Sequence, residues 1–103
     1  MIVRWTNDAT DDRSRILEHI AQHNPRAARR LDQRFSRAVS RLKSHPFSGQ
    51  AGRVPGTRET IPHPSYRLVY EVDGDIVWIV AIVHTARLWP IVDDAAPSPA
   101  DLR

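Results

Sequence analysis

Residues 66–84 hold two strand-like runs, Tyr66–Val72 and Asp75–His84, joined at Asp73-Gly74. Asp-Gly is a favoured two-residue connection between antiparallel strands. The second run is the more constraining. Ile76–Val83 is apolar on both of its alternating faces, which marks a central strand covered on both sides. Basic residues surround the hairpin: Arg58 before it, Arg67 within it, and His84 and Arg87 at its end. Convergent Arg and His on an apolar hairpin suggest a surface made for phosphates.

The segments before the hairpin supply its covering layer. Ile2–Trp5 reads as a short first strand. Asn7-Asp8 and Thr10 offer helix-capping oxygens, and Asp11 and Asp12 place negative charge in a first turn. Ile16, Leu17, Ile20 and Ala21 follow at helical spacing, predicting a helix over residues 9–23. Asn24-Pro25 is a boundary, with Asn as cap and Pro at the first helical position. A second helix is predicted from Pro25 to Ser44, burying Ala28, Leu31, Phe35, Ala38, Val39 and Leu42. So short a connection makes the two helices an antiparallel hairpin. The stretch 45–52 reads as a loop, and Gly56–Ile61 as a strand that Pro62 and Pro64 interrupt. Two amphipathic helices and an apolar sheet face give a two-layer α+β fold. Its order is an N-terminal strand, an antiparallel helical hairpin, then an antiparallel three-stranded meander. Residues 1–90 form one domain, and 91–103, rich in Asp, Ala and Pro, a loose tail.

If Asp73-Gly74 is the turn, Val72 faces Asp75 and the faces follow. Tyr66, Leu68, Tyr70, Val77, Ile79, Ala81 and Val83 form the floor for the helices. Arg67, Val69, Glu71, Ile76, Trp78, Val80, Ile82 and His84 share the other face. Arg67 and His84 then lie on one surface, roughly 13 Å apart along the strand. That spacing suits an extended ligand. One bulge would reverse the parity. Within the strand, Glu71 is a natural ion-pair partner for Arg67.

The chain has 103 residues and a formal net charge of +3. Of its 15 basic residues, 14 are Arg, and Lys43 is the sole Lys. Arg26, Arg30, Arg34, Arg37 and Arg41 fall on one face of the second predicted helix. This stripe is either a solvated face or a docking surface for an acidic partner or a nucleic-acid backbone. There is no cysteine, so disulfides and thiolate metal sites are excluded, in keeping with a reducing cytoplasm. No apolar run approaches the roughly 20 residues of a membrane-spanning helix, and the first residues carry no secretion signal. His19 and His23 read as an exposed helix pair, and no metal cluster is evident.

Gly56-Thr57-Arg58-Glu59, Tyr66-Arg67-Leu68-Val69-Tyr70-Glu71-Val72 and Val83-His84-Thr85-Ala86-Arg87-Leu88-Trp89-Pro90 resemble the RelE/ParE superfamily of bacterial toxins. The resemblance covers residues 2–90 and includes the order of elements. It implies a toxin of a type II toxin–antitoxin module, partnered by a small antitoxin in a hetero-oligomer and needing no cofactor. Two activities occur on this fold. RelE-like members cleave mRNA on the ribosome with the 2′-hydroxyl as nucleophile, whereas ParE-like members poison DNA gyrase without cleaving anything. A non-toxic RNA-binding domain is a third reading.

Residue by residue, the resemblance makes Arg67 the arginine that contacts the scissile phosphate in nuclease members. It makes His84 a proton carrier and Arg58 a further cation of a catalytic set. Arg53 and Arg87 become substrate-binding residues, while Arg30, Arg34 and Arg37 become part of the antitoxin surface. The chemistry is coherent, because in-line attack needs a base, an acid and cations on the non-bridging oxygens. On this Arg/His set the first expectation is a ribosome-dependent mRNA endonuclease, with gyrase inhibition as the alternative. Trp89-Pro90 reads as packing rather than chemistry.

Overall fold

The computed structural model describes residues 1–87 and Trp89. β1 (Ile2–Trp5) leads into α1 (Asn7–Ala21) and α2 (Pro25–Ser44). β2 (Gln50–Ala51), β3 (Arg58–His63), β4 (Tyr66–Asp73) and β5 (Ile76–His84) follow. All the strands join one sheet in the order β1-β5-β4-β3-β2. β1 runs parallel to β5, and the other pairs are antiparallel. This is the expected two-layer α+β fold with one short strand, β2, added at an edge. β5 is central, as its two apolar faces require. The tail expected over 91–103, together with Leu88 and Pro90, lies outside the described residues.

Local chemistry explains the helix boundaries. The Asn24 side chain accepts from the Ala27 N–H at 3.1 Å, with Pro25 at the first helical position. α1 begins earlier than expected, because Thr6, not Asn7, Asp8 or Thr10, is the cap. Its Oγ1 accepts from the Ala9 N–H at 3.1 Å. α2 buries Ala28, Leu31, Phe35, Val39 and Leu42, the predicted stripe except for Ala38, which is only half-buried. Arg13 Nε donates to Asp32 Oδ1 at 2.9 Å and ties the two helices together.

The helices cover one face of the sheet. Ala9, Val39 and Leu42 pack on Leu68, Tyr70, Val77 and Ile79. Leu31 and Phe35 pack on Ile82, with Tyr66 and Ile16 beside them. The other face carries a smaller cluster of Val69, Ala81 and Val83, against which Trp89 packs. Trp89 is thus a packing residue, as expected.

The expected register is corrected in two ways. First, Asp73 pairs with Ile76, so Gly74-Asp75 is the two-residue turn rather than Asp73-Gly74. Gly74 has φ +57, and among the described residues no non-glycine residue has positive φ. A positive φ at the first central position alone belongs to a type II′ turn, which favours Gly there. Second, the register shifts between Val69 and Tyr70: Tyr70 faces Ile79, but Val69 faces Ala81. Val80 is therefore an extra residue in β5, a bulge that flips every later side chain. Ile82 and His84 turn to the helix face, while Ala81 and Val83 turn away from it.

β3 also departs from expectation, running through Pro62 to His63. Its register with β4 shifts between Thr60 and His63, so Pro62 sits at an irregularity where a missing N–H is tolerated.

α1 completes the edge of β5 that β1 leaves bare. Beyond Ile79, the Thr6 Oγ1–H donates to Val80 O at 3.4 Å, and Asp12 Oδ2 accepts from the Ile82 N–H at 3.1 Å. Among the described residues no helix is long and apolar enough to cross a membrane.

Candidate functional site

Arg67 lies on the sheet face away from the helices, and both of its terminal nitrogens are engaged. Nη1 donates to Glu59 Oε1 at 2.8 Å, with the two side chains only 15% and 14% exposed. Nη2 donates to the Arg87 carbonyl. Nε is buried and has no partner among the described residues. Glu59, opposite Val69 on β3, is thus the ion-pair partner instead of Glu71, which is exposed. The other Glu59 oxygen accepts from the Arg53 N–H at 3.3 Å. Arg53 contributes its backbone here and is otherwise exposed in the loop before β3.

Arg58 pairs with Tyr70 across the sheet and so points to the helix side, away from Arg67. Its Nη1 donates to the carbonyls of Phe47 and Gly49 at 3.2 and 3.0 Å, and its guanidinium lies 5.0 Å from the Phe47 ring centroid. The Gly49 N–H donates to Tyr70 Oη at 2.9 Å. A Cβ on residue 49 would stand 2.6 Å from that oxygen and 2.8 Å from Glu59 O, so this close approach demands glycine. Arg58 therefore fastens the 47–49 loop to the sheet.

His84 lies at the far end of β5 on the helix face, opposite Tyr66. The bulge at Val80 has separated it from Arg67, so the shared surface expected for these two residues does not form. The His84 ring stands edge-on to Tyr66 with centroids 5.7 Å apart, and its Nδ1 accepts from the Ala86 N–H at 3.1 Å. What the structure does bring together is His84 and Arg87. They line a cleft of about 380 Å³ with Asp12, Arg15, Ile16 and His19 of α1 and with Tyr66 and Ile82. Arg15 is not singled out by the sequence, and His19 reads there only as half of an exposed helix pair with His23, not as a cleft residue. The one visible signal of Arg15 and His19 is i,i+4 spacing on a helix, which many exposed pairs share.

Arg30, Arg34 and Arg37, with Arg26 and Arg41, are exposed along α2. None of them forms an ion pair among the described residues. Nor do the described residues hold a group of three or more His, Cys, Asp or Glu suited to a metal ion.

The profile of the ParE toxin of the type II toxin–antitoxin system parDE matches residues 3–89. The toxin RelE2 of Caulobacter vibrioides is 36% identical over 86 residues, spanning 84% of this chain and 97% of that protein. The protein Y4kP of Sinorhizobium fredii is 33% identical over 91 residues, 87% of this chain and 94% of its own length. Among solved structures, the chromosomal ParDE TA system from P. aeruginosa contains a chain that superposes with a TM-score of 0.72 at 25% identity, covering 82% of this chain and 95% of its own. The YoeB/ParE toxin from Agrobacterium tumefaciens shares the fold, with a TM-score of 0.60 at 20% identity over 82% of this chain and 98% of its own. A match along nearly all of the described residues, joined to this order of strands and helices, shows that the chain belongs to the ParE toxin family and is the toxin of a type II toxin–antitoxin system, with an antitoxin as its partner.

Proposed function

We propose that this toxin acts by binding, as a ParE-like inhibitor of DNA gyrase, rather than by cutting mRNA. One observation carries the reading: Arg67, the residue best suited to a scissile phosphate, is committed to Glu59 and to the Arg87 carbonyl. The rest of the expected catalytic set is dispersed. Arg58 secures a loop on the helix side, and His84 faces away from Arg67. A phosphodiester in flight needs its cations and proton carriers on one side of one site. The gyrase target would also place the protein in the cytoplasm.

The test is induction in a bacterial host, followed by mapping of transcript ends and assay of gyrase supercoiling. Intact mRNA with inhibited supercoiling is expected. In-frame cuts on translated mRNA with normal supercoiling would instead establish the ribosome-dependent endonuclease. Neither effect, with normal growth, would point to a non-toxic RNA-binding role.

The antitoxin is assigned to the exposed Arg stripe of α2, where guanidinium groups that form no ion pair among the described residues suit an acidic amphipathic segment. Reversing the charge of Arg30, Arg34 and Arg37 together should weaken the toxin–antitoxin complex at least about tenfold and flatten its salt dependence. Unchanged affinity and unchanged salt dependence would remove the stripe from the interface.

A further inference from the structure

The cleft between α1 and the end of β5 has the makings of a ligand site. Its volume of about 380 Å³ falls within the range of small-molecule sites, about 300–1,000 Å³. Its apolar wall is Ile16, Ile82 and the Tyr66 ring. Its polar side is Arg15, His19, His84 and Arg87, opposed by a single carboxylate, Asp12.

That carboxylate is already engaged at both oxygens. Oδ2 accepts from the Ile82 N–H at 3.1 Å, and Oδ1 takes Arg15 Nη2 at 2.9 Å. Asp12 is thereby anchored to β5 and holds the Arg15 guanidinium at the cleft, leaving its remaining N–H groups as donors. Arg87 forms no ion pair among the described residues. The His84 tautomer is fixed by its surroundings. Because Nδ1 accepts from Ala86, the proton of the neutral ring sits on Nε2. His84 thus offers a donor, not an acceptor, on the side of the ring away from its own backbone. His19 packs edge-on against His23, with ring centroids 6.0 Å apart.

We propose that this cleft binds the phosphate of a nucleotide. Arg15 and Arg87 are the cations, His19 and His84 add N–H donors, and Tyr66 with Ile16 and Ile82 receives the base or sugar. Forked Arg donors match a phosphate's oxygens, and aromatic faces accept a base without regard to its identity. A cluster of donors from four side chains suits a tetrahedral anion better than a carboxylate, which two donors already satisfy in Asp12 itself. The source of the phosphate is either a free nucleotide or the backbone of a nucleic acid. The site is independent of which target the toxin attacks.

The experiment is an NMR titration of the full chain at fixed ionic strength, following the imidazole C–H signals of His19 and His84. Inorganic phosphate and 5′-AMP should each give saturable shifts at both rings, with AMP the tighter. Adenosine at the same concentration should bind much more weakly than AMP. Arg15→Gln and Arg87→Gln should each weaken AMP binding about tenfold, whereas Lys43→Gln, an equal loss of charge on a distant exposed residue, should leave it unchanged. Both Arg residues are exposed, so neither substitution threatens the fold. A short oligothymidylate that binds far more tightly than AMP, with steep salt dependence, would identify a nucleic-acid backbone as the source. Equal affinities would identify the free nucleotide. The proposal is overturned by shifts that fail to saturate, by affinities that neither Arg substitution lowers, or by a glutamate-rich peptide that displaces AMP at lower concentration than the oligothymidylate does.

Discussion

Phe35→Ala should lower stability by about 3–5 kcal/mol, the usual cost of emptying a fully buried aromatic site. Phe35 is 0% exposed and joins both layers: it packs with Leu31 and Ile82 and meets Tyr66 edge-on, with ring centroids 6.1 Å apart. A domain of this kind has only about 5–15 kcal/mol in all, so the variant would be marginally folded at growth temperature. Urea unfolding is the measurement, with the midpoint falling and the slope nearly unchanged. A loss below about 1 kcal/mol would mean that the ring is not the bridge between helices and sheet. The same lesion loosens Tyr66, and through it the wall of the α1–β5 cleft.

The second large effect concerns Arg67 and Glu59. Replacing Glu59 by Leu leaves the Arg67 charge largely buried with one carbonyl for company. Breaking a buried pair from one side costs about 3–5 kcal/mol. The double variant Glu59→Leu/Arg67→Met removes both charges together and should recover most of that loss, because apolar replacements of similar volume are often neutral. Thermal or urea unfolding of both variants measures the difference. If the double variant is no more stable than the single one, the Glu59–Arg67 pair does not organise this part of the sheet. The double variant also bears on the mode of action. Under the gyrase reading it keeps its growth inhibition, since Arg67 serves the fold; under the endonuclease reading it loses transcript cleavage while remaining folded.

The helices were legible because their boundary residues and their periodicity agree. Asn24-Pro25 could end nothing but one helix and begin another, and Leu31, Phe35 and Leu42 recur at the helical period. The two layers and the central place of β5 were legible for a related reason: an apolar strand on both faces has nowhere else to go. That same property hid the register. In Ile76–Val83 every residue suits either face, so the hydrophobic pattern does not register an inserted Val80. Only the backbone pairing reveals it. The choice of Glu59 over Glu71 as partner of Arg67 was invisible for a like reason, since it depends on how β3 aligns with β4, and a bulge near Pro62 offsets that alignment. Arg15 went unremarked and His19 read as solvated, because nothing local distinguishes a cleft-facing helix position from a solvated one. The candidate residues on β5 and just after it were thus found by type, but their grouping had to come from three-dimensional placement.

Pairing Ile2 with Ile76 also sets a timetable. β1 leaves the ribosome first, yet its hydrogen-bonding partner is made some 74 positions later, about 4–15 s at ordinary rates of synthesis. Until β5 is made, α1 and α2 lack the strand that supplies Val77, Ile79 and Ile82 to their core, and that part of their apolar stripes stands open to water. Contacts of such long range also slow the final closure. A nascent chain that stops short of β5 therefore lacks the strand that joins β1 to β4 and one wall of the α1–β5 cleft.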